Sequence, residues 1–370
     1  MGDLLNIDTT VIMDSLGDGV YVTDLNRKII YWNKAAERIT GWTHADIVGR
    51  HCFDDILVHV DKDGHQLCGK EHCPLHRSIV TGVGSECPLV FAQRKDARRI
   101  PVQVTVAPIR NAAGEIVGGV ESFRDVSSVF RDLEKARSIQ SIALQHDLPH
   151  DARIHFSTHY IPHDIVGGDY YGIRQLDQDR YGFFLADVMG HGLAAALYTM
   201  HLGSLWDRYC SLLTSPSAFA GKIGNELNRI VSGGESFASG VCGLIDVTRQ
   251  VMCIAGAGNP PVLLMHANGK IEQMECAGLP FGLMEDAPYD NTSLKLHPGD
   301  RLLLFSDGAI EIHNVEKKML GVDGLIAILK RQGYPASGIQ ITAIEEELLK
   351  YSNAIRLEDD LTLIEIQFAG

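Results

Sequence analysis

Four acidic positions in the second half of this 370-residue chain share one setting. Asp169 follows Gly167-Gly168, Asp187 ends the run Phe183-Phe184-Leu185-Ala186, Asp307 follows Leu303-Leu304-Phe305-Ser306, and Asp359-Asp360 precedes Leu361-Thr362-Leu363. Each lies where an apolar, strand-like run begins or ends. An isolated carboxylate at the rim of a core is costly, and no Lys or Arg stands immediately beside any of these in sequence. The economical partner is a divalent cation, which prefers oxygen ligands. Glycines accompany the same positions, in Gly167-Gly168-Asp169, Gly190-His191-Gly192 and Asp307-Gly308, as expected where a backbone turns sharply or approaches a ligand closely. One Asp at a turn is commonplace. Four with the same dressing are better explained by a shared divalent-cation site. Thiol chemistry is not indicated, because Cys210, Cys242, Cys253 and Cys276 sit in apolar or turn settings with no CxxxxxR phosphate loop.

Strands must position these acids. Alternating apolar runs predict them at Ile154 to Tyr160, Tyr170 to Leu176, Tyr181 to Val188, Gly240 to Asp246, Val251 to Ala255, Arg301 to Phe305 and Leu361 to Phe368. Helical spacing occupies Gly192 to Leu213, Ala218 to Val231, Val322 to Lys330 and Ile339 to Lys350. Strands in adjacent runs favour stacked antiparallel sheets flanked by helices. In the first 126 residues, short strands at Gly19 to Thr23, Lys28 to Trp32, Val102 to Val106 and Ile116 to Val120 are interrupted by helices, which predicts one antiparallel sheet with helices on one face. Between the halves, Val129, Leu133, Ala136, Ile139, Ile142 and Ala143 recur at helical spacing before Pro149. That stripe either packs on its own domain or forms a parallel dimer seam. The division is therefore 1–127, a helical and conceivably coiled-coil linker over 128–150, and 151–370.

Composition narrows the partners. A net charge of -14 with no basic run disfavours nucleic acid, and 45% hydrophobic with 22% charged residues is a globular balance. No stretch reaches the roughly 18 apolar residues that span a bilayer, and MGDLLNIDTTVIMDS lacks the basic flank of a signal peptide, so a cytoplasmic protein without membrane contact is expected.

The runs Val166 to Tyr171 (VGGDYY), Ala186 to Leu197 (ADVMGHGLAAAL), Gly258 to Pro261 (GNPP), Pro298 to Asp300 (PGD), Phe305 to Gly308 (FSDG) and Asp359 to Thr362 (DDLT) resemble, in order, the signature blocks of the SpoIIE-type branch of the metal-dependent (PPM, PP2C-like) protein serine/threonine phosphatases. The resemblance implies an α-β-β-α sandwich holding two Mn2+ or Mg2+ ions. Asp187 would bridge both ions, with Asp169 and the Val188 carbonyl on one and Asp307 and Asp359 on the other. Asp187 and Asp169 would carry catalysis, Asp360 would be the lesser ligand of its pair, and His191 would be structural. Neither Arg153 nor Arg174 matches the arginine with which many eukaryotic relatives hold phosphate. The implied substrate is a phosphoserine or phosphothreonine protein, typically an anti-sigma-factor antagonist of the STAS type. A catalytically silent scaffold is the alternative.

The first half, with Asp18 to Asp24 (DGVYVTD), Ile30 to Glu37 (IYWNKAAE), Thr40 to Trp42, Val48 to Arg50 and Phe123 to Ser127 (FRDVS), resembles a PAS domain, which implies a sensor handing its signal to the helix that follows, and a homodimer. The whole is thus an α+β chain. Cys52, Cys68 and Cys73 fall in a stretch crowded with His51, His59, His65, His72 and His76. Such groups suit a metal, a haem or iron–sulfur group, a redox thiol pair, or no cofactor at all.

Overall fold

The computed structural model describes residues 8–69, 72–144, 147–190, 192–230, 236–335, 341–354 and 356–370; His191 lies outside the described residues. The chain divides into two compact units, Met1–Asp132 and Leu133–Gly370. Among the described residues no helix is long and apolar enough to cross a membrane.

The first unit runs α1 (Thr9–Asp14), β1 (Gly19–Asp24), β2 (Ile29–Trp32), α2 (Lys34–Thr40), α3 (His44–Ile47), α4 (Pro74–Thr81), β3 (Ser85–Gln93), β4 (Arg99–Arg110) and β5 (Ile116–Asp125). Its strands form one antiparallel sheet in the order β2-β1-β5-β4-β3, the PAS arrangement. Tyr21, Trp32, Val102, Val104, Val106 and Phe123 on the sheet pack with Ala36, Ile47, Leu75 and Ile79 from the helical side. Asn33 explains part of the Trp-Asn-Lys-Ala motif: its carboxamide oxygen accepts the amides of Ala36 and Val20, capping α2 and tying it to β1.

A single helix, α5 (Ser127–Leu144), begins where Asp125 accepts the Ser127 amide at 2.8 Å. The expected helix through His150 is corrected, because residues 147–150 are irregular. Pro149 accounts for this, since it disfavours helical backbone at the residue before it. Only Gln140 and Leu144 of α5 are buried, while Ile139 and Ile142 are 58% and 70% exposed.

The second unit continues through β6 (Ile154–Ile161), β7 (Asp169–Gln175), β8 (Arg180–Val188), α6 (Leu193–Tyr209), α7 (Pro216–Ile230), β9 (Ala238–Asp246), β10 (Val251–Ala257), β11 (Asn259–Met265), β12 (Ile271–Cys276), β13 (Thr292–Lys295), β14 (Arg301–Phe305), α8 (Gly321–Arg331), α9 (Ile341–Ser352) and β15 (Leu361–Phe368). Two antiparallel sheets result, β13-β10-β9-β8-β7 and β12-β11-β14-β15-β6. Three apolar layers hold them. Tyr170, Phe184 and Ala186 pack under α6 and α7; Phe183, Leu185, Val241, Leu304 and Ile364 fill the space between sheets; Leu303, Phe305 and Leu363 meet α8 and α9. This is an α-β-β-α sandwich. Strand β11 was not expected because it carries Pro260 and Pro261, and it survives as a strand because the ladder with β12 skips them in a bulge between Asn259 and Val262.

Phe184 anchors the helix-side layer, with ring centroids 5.2 Å from Phe219, 5.9 Å from Phe281 and 6.2 Å from Trp206. Phe184→Ala is expected to destabilise this unit by about 3–5 kcal/mol. Hydrogen exchange should accelerate in β7, β8 and β9 and stay unchanged in β1 to β5.

Candidate metal centre

The site is what happens when the inter-sheet core runs out. On β8, alternate residues Tyr181, Phe183 and Leu185 face between the sheets, and the next in that series is Asp187. The same step leads from Leu302 and Leu304 on β14 to Ser306, and from Ile366 and Ile364 on β15 back to Thr362. On β7 the series from Ile173 through Tyr171 ends at Asp169, which lies directly opposite Asp187 in the β7–β8 ladder. One end of the dry core is thus polar on both sheets. Asp307 follows Ser306 in a short 3-10 turn, and Asp359 precedes β15.

Asp169 is fully buried; its Oδ2 accepts the Thr362 hydroxyl at 2.5 Å, and its Oδ1 has no hydrogen-bond partner. Burial first, and then the Asp360 charge, push its pKa well above the carboxylate range. Asp187 is pushed up to about 10 by burial and by the neighbouring Asp169, Asp307 and Asp359. Burial and Asp359 raise Asp307, which hydrogen-bonds Asp187 through one carboxyl and leaves Oδ1 unpartnered. Asp359 is exposed at the rim. The Val188 carbonyl faces the Gly168 backbone, 3.0 Å from where a Cβ would stand there. The predicted residues Asp169, Asp187, Val188, Asp307 and Asp359 are therefore brought together. The groups that raise these acids are burial and neighbouring carboxyls, Asp360 and Glu311 among them, and no basic side chain of the described residues figures with them. Partnerless oxygens in a cluster of mutually repelling carboxyls fit oxygen-ligated divalent cations.

Asp360 has another task. It is buried, and its two oxygens accept the amides of His163 at 2.6 Å and Gly168 at 2.5 Å, so it holds the loop that presents Asp169. That loop needs glycine. A Cβ on Gly167 would collide with the Tyr160 hydroxyl and stand 2.7 Å from Asp360 Oδ2, and one on Gly308 would strike the Asp360 carbonyl. Sequence reasoning missed Gln140. Its carboxamide donates to the Gly167 carbonyl at 2.7 Å and to Thr199 Oγ1 at 2.8 Å, and accepts the Gly167 amide at 3.1 Å. The available signal was a Gln on the helical stripe, four residues before Leu144. Ser306 and Thr362 were quoted in motifs without a role; Ser306 Oγ accepts the Thr362 amide at 2.9 Å, and the Thr362 hydroxyl donates to Asp169.

Arg153 pairs with Asp151 and Asp179 at the closed end of the β7–β8 hairpin, about 20 Å from Asp169 at roughly 3.3 Å per residue. Arg174 bonds Asp207. Neither reaches the carboxyls. Cys52 and Cys73 lie in the apolar core of the first unit, with Cys68 half-buried beside them.

Residues 177–369, just over half of the chain, match the family described as stage II sporulation protein E (SpoIIE), and residues 8–126 match the PAS fold. The phosphoserine phosphatase RsbP of Bacillus subtilis is 32% identical over 184 residues, which are 49% of this chain and 45% of that protein. The phosphoserine phosphatase RsbU of the same organism is 25% identical over 237 residues, 63% of this chain and 69% of that protein. The chain thus spans about half the length of RsbP. Of solved structures, the SiaA-PP2C domain of Pseudomonas aeruginosa superposes with a TM-score of 0.56 at 23% identity, covering 65% of this chain and 97% of that one, which is a likeness of fold.

The adjacent acids Asp359 and Asp360 should separate in experiment. Asp360→Ala leaves two amides unpaired and is expected to destabilise the unit by about 2–4 kcal/mol. Asp359→Ala removes an exposed like charge and one acceptor for the Asp360 amide, so it should change stability in chelator by under about 1 kcal/mol while weakening Mn2+ binding in a calorimetric titration. An Asp360→Ala protein as stable as its parent would contradict the assignment.

Proposed function

The chain is a member of the SpoIIE family, and from that premise we propose that its second unit is a Mn2+- or Mg2+-dependent protein serine/threonine phosphatase controlled by the PAS unit. The substrate we assign is a phosphorylated protein of the STAS-type anti-sigma-factor antagonist class, by analogy with the family. One observation carries the catalytic reading: carboxyls at the ends of β7 and β8, just after β14 and just before β15 act on one another at one end of the sandwich, with unpartnered oxygens on Asp169 and Asp307 and, among the described residues, no basic side chain set against them.

Bound there, two divalent cations would supply Lewis acidity toward the phosphoryl oxygens and the attacking water. Asp187, which feels Asp169, Asp307 and Asp359 alike, is suited to bridging. Asp169 and the Val188 carbonyl would help hold one ion, and Asp307 and Asp359 the other. Thr362 and Ser306 orient Asp169, and Asp360 fixes its loop. Depth is graded, with Asp169 buried and Asp359 at the surface, so a phosphoryl group on a protein approaches from the Asp359 side.

Regulation is supported by Gln140. The helix that leaves β5 is the one whose side chain grips both polar atoms of the Gly167 peptide, two residues before Asp169. The exposed Ile139 and Ile142 lie on the opposite side of α5 and offer a seam for a parallel homodimer. We place the protein in the cytoplasm, where its eight free thiols persist.

Manganese-dependent release of phosphate from a phosphoserine peptide is expected, abolished by chelator and by Asp187→Asn. A folded, manganese-loaded but inert protein would establish the scaffold alternative instead. Gln140→Leu is expected to lower the rate roughly 10–100-fold, the range for groups that orient metal ligands, with the melting temperature little changed. Equal rates with and without residues 1–127 would overturn control by the sensor, and a monomer at micromolar concentration the dimer.

A further inference from the structure

At the opposite end of β14 from the clustered carboxyls, two turns bring together a different set of ligand-type side chains. Asp300 precedes β14 and Ser306 follows it, so about 20 Å separates the two ends at roughly 3.3 Å per residue. His266 follows β11, where its amide donates to the Lys270 carbonyl at 2.9 Å and its carbonyl accepts the Gly269 amide at 2.8 Å across the turn into β12. His297 and Asp300 are the first and last residues of the turn before β14. There Asp300 donates its amide to the His297 carbonyl at 3.0 Å and Gly299 takes a φ of +91°, the conformation for which a Pro-Gly pair is suited. The two turns are packed together, since a Cβ on Gly299 would stand 3.0 Å from that of Ala267.

Asp300 is 2% exposed, and its carbonyl accepts the Phe368 amide at 2.9 Å, so its backbone is fixed from both sides. Its carboxylate faces two imidazoles. Oδ1 is 3.0 Å from Nδ1 of His266, and Oδ2 accepts the His297 amide at 2.9 Å while lying 3.5 Å from Nδ1 of the same residue. The remaining ring nitrogen of His266, Nε2, faces Glu272 Oε1 at 3.4 Å. A neutral imidazole carries one N–H and can serve one of these carboxylates, which leaves its other nitrogen turning a lone pair toward an anion. A positive charge is required between them. A proton on His266 would supply one, and Lys270 pairs with Glu272 at the outer edge. Neither explains why a second imidazole, its ring centroid 6.4 Å from the first, is turned to the same buried carboxylate.

We propose that His266 Nδ1, His297 Nδ1 and the Asp300 carboxylate bind one zinc-class divalent cation, with solvent in the fourth position. One ligand atom from each of the three residues lies within 4.8 Å of the others. The nitrogen-to-oxygen separations of 3.0 and 3.5 Å bracket the roughly 3.4 Å between two ligands each held at about 2.0–2.2 Å from a tetrahedral ion. Glu272 accepts the Nε2–H hydrogen bond and so fixes the tautomer that frees Nδ1 for the metal, the usual part of a carboxylate behind a metal-bound histidine. Imidazole ligands favour zinc over the magnesium or manganese suited to the all-carboxyl cluster. Loading releases to solvent any proton on Nδ1 and needs no redox partner. The ion ties the β11–β12 turn to the start of β14.

The full-length protein, stripped with chelator, is titrated with Zn2+ by calorimetry and with Co2+ by proton NMR. Cobalt is expected to produce hyperfine-shifted ring protons from two imidazoles, one of them with an N–H signal that is held by Glu272 and vanishes in D2O, and Zn2+ should abolish both sets. Cobalt on the carboxyls at the other end has no imidazole among its assigned ligands and adds no such signal. His266→Gln and Asp300→Asn should each weaken Zn2+ by more than roughly tenfold, the loss usual for a group that merely orients a ligand. His297→Ala should remove one set of shifted protons, and because His297 lies mostly at the surface its circular dichroism should be unchanged. A folded wild-type protein without shifted imidazole protons, or shifted protons that persist in both His266→Gln and His297→Ala, would overturn the assignment. So would a His266 ring that keeps both its protons throughout the titration, which would mark a plain imidazolium.

Discussion

Mutual repulsion among carboxyls at the end of a dry core governs the second unit. Burial makes ionisation of Asp187 costly, and the neighbouring Asp169, Asp307 and Asp359 make it costlier still. Protons relieve this only partly: they allow the Asp187–Asp307 hydrogen bond yet leave oxygens of Asp169 and Asp307 without partners. Divalent cations bound there would relieve it. The rest of the unit can be understood as what it takes to hold such a cluster together.

Three layers of apolar packing supply the stability that the cluster spends, and the strand register delivers the acids without a loop being asked to find its own position. Asp169 and Asp187 are opposite each other because the β7–β8 ladder is regular from its turn outward. Where loops are used, they are over-determined. The Gly167-Gly168 segment is gripped by Asp360 on one side and Gln140 on the other, in a space that admits no side chain at Gly167. A loop so held can be moved only by moving one of its holders.

Much of this was legible in the sequence for a physical reason. The acids stand at the ends of apolar runs because the inward-facing series of each strand turns polar there, and period two is visible without a structure. The partition between Asp359 and Asp360 was legible only as a family expectation, since which of two adjacent carboxyls turns inward depends on backbone geometry. Gln140 was invisible because its role is long-range: it bonds a peptide 27 residues away, and its neighbours Ile139 and Ile142 carried the apolar signal instead. The Cys and His crowding near residue 60 was noticed, but the buried Glu121 was not, because one acid inside an alternating strand reads as its solvent face. Only the ladder shows that it shares a face with Tyr21.

Connectivity suggests how a signal would act. Strand β5 leads within a few residues into α5, and Gln140 lies thirteen residues along that helix, about 20 Å at 1.5 Å per residue. Gln140 sits on the rim of a helix about 10–12 Å across, so a turn of about 30° moves its amide by about 3 Å. The bonds it makes to Gly167 are 2.7 and 3.1 Å long and would not survive that displacement. Asp360 would still hold Gly168 from the other side. The expected off state is therefore a slackened Asp169 in an otherwise intact sandwich, a change in cation affinity rather than an unfolding.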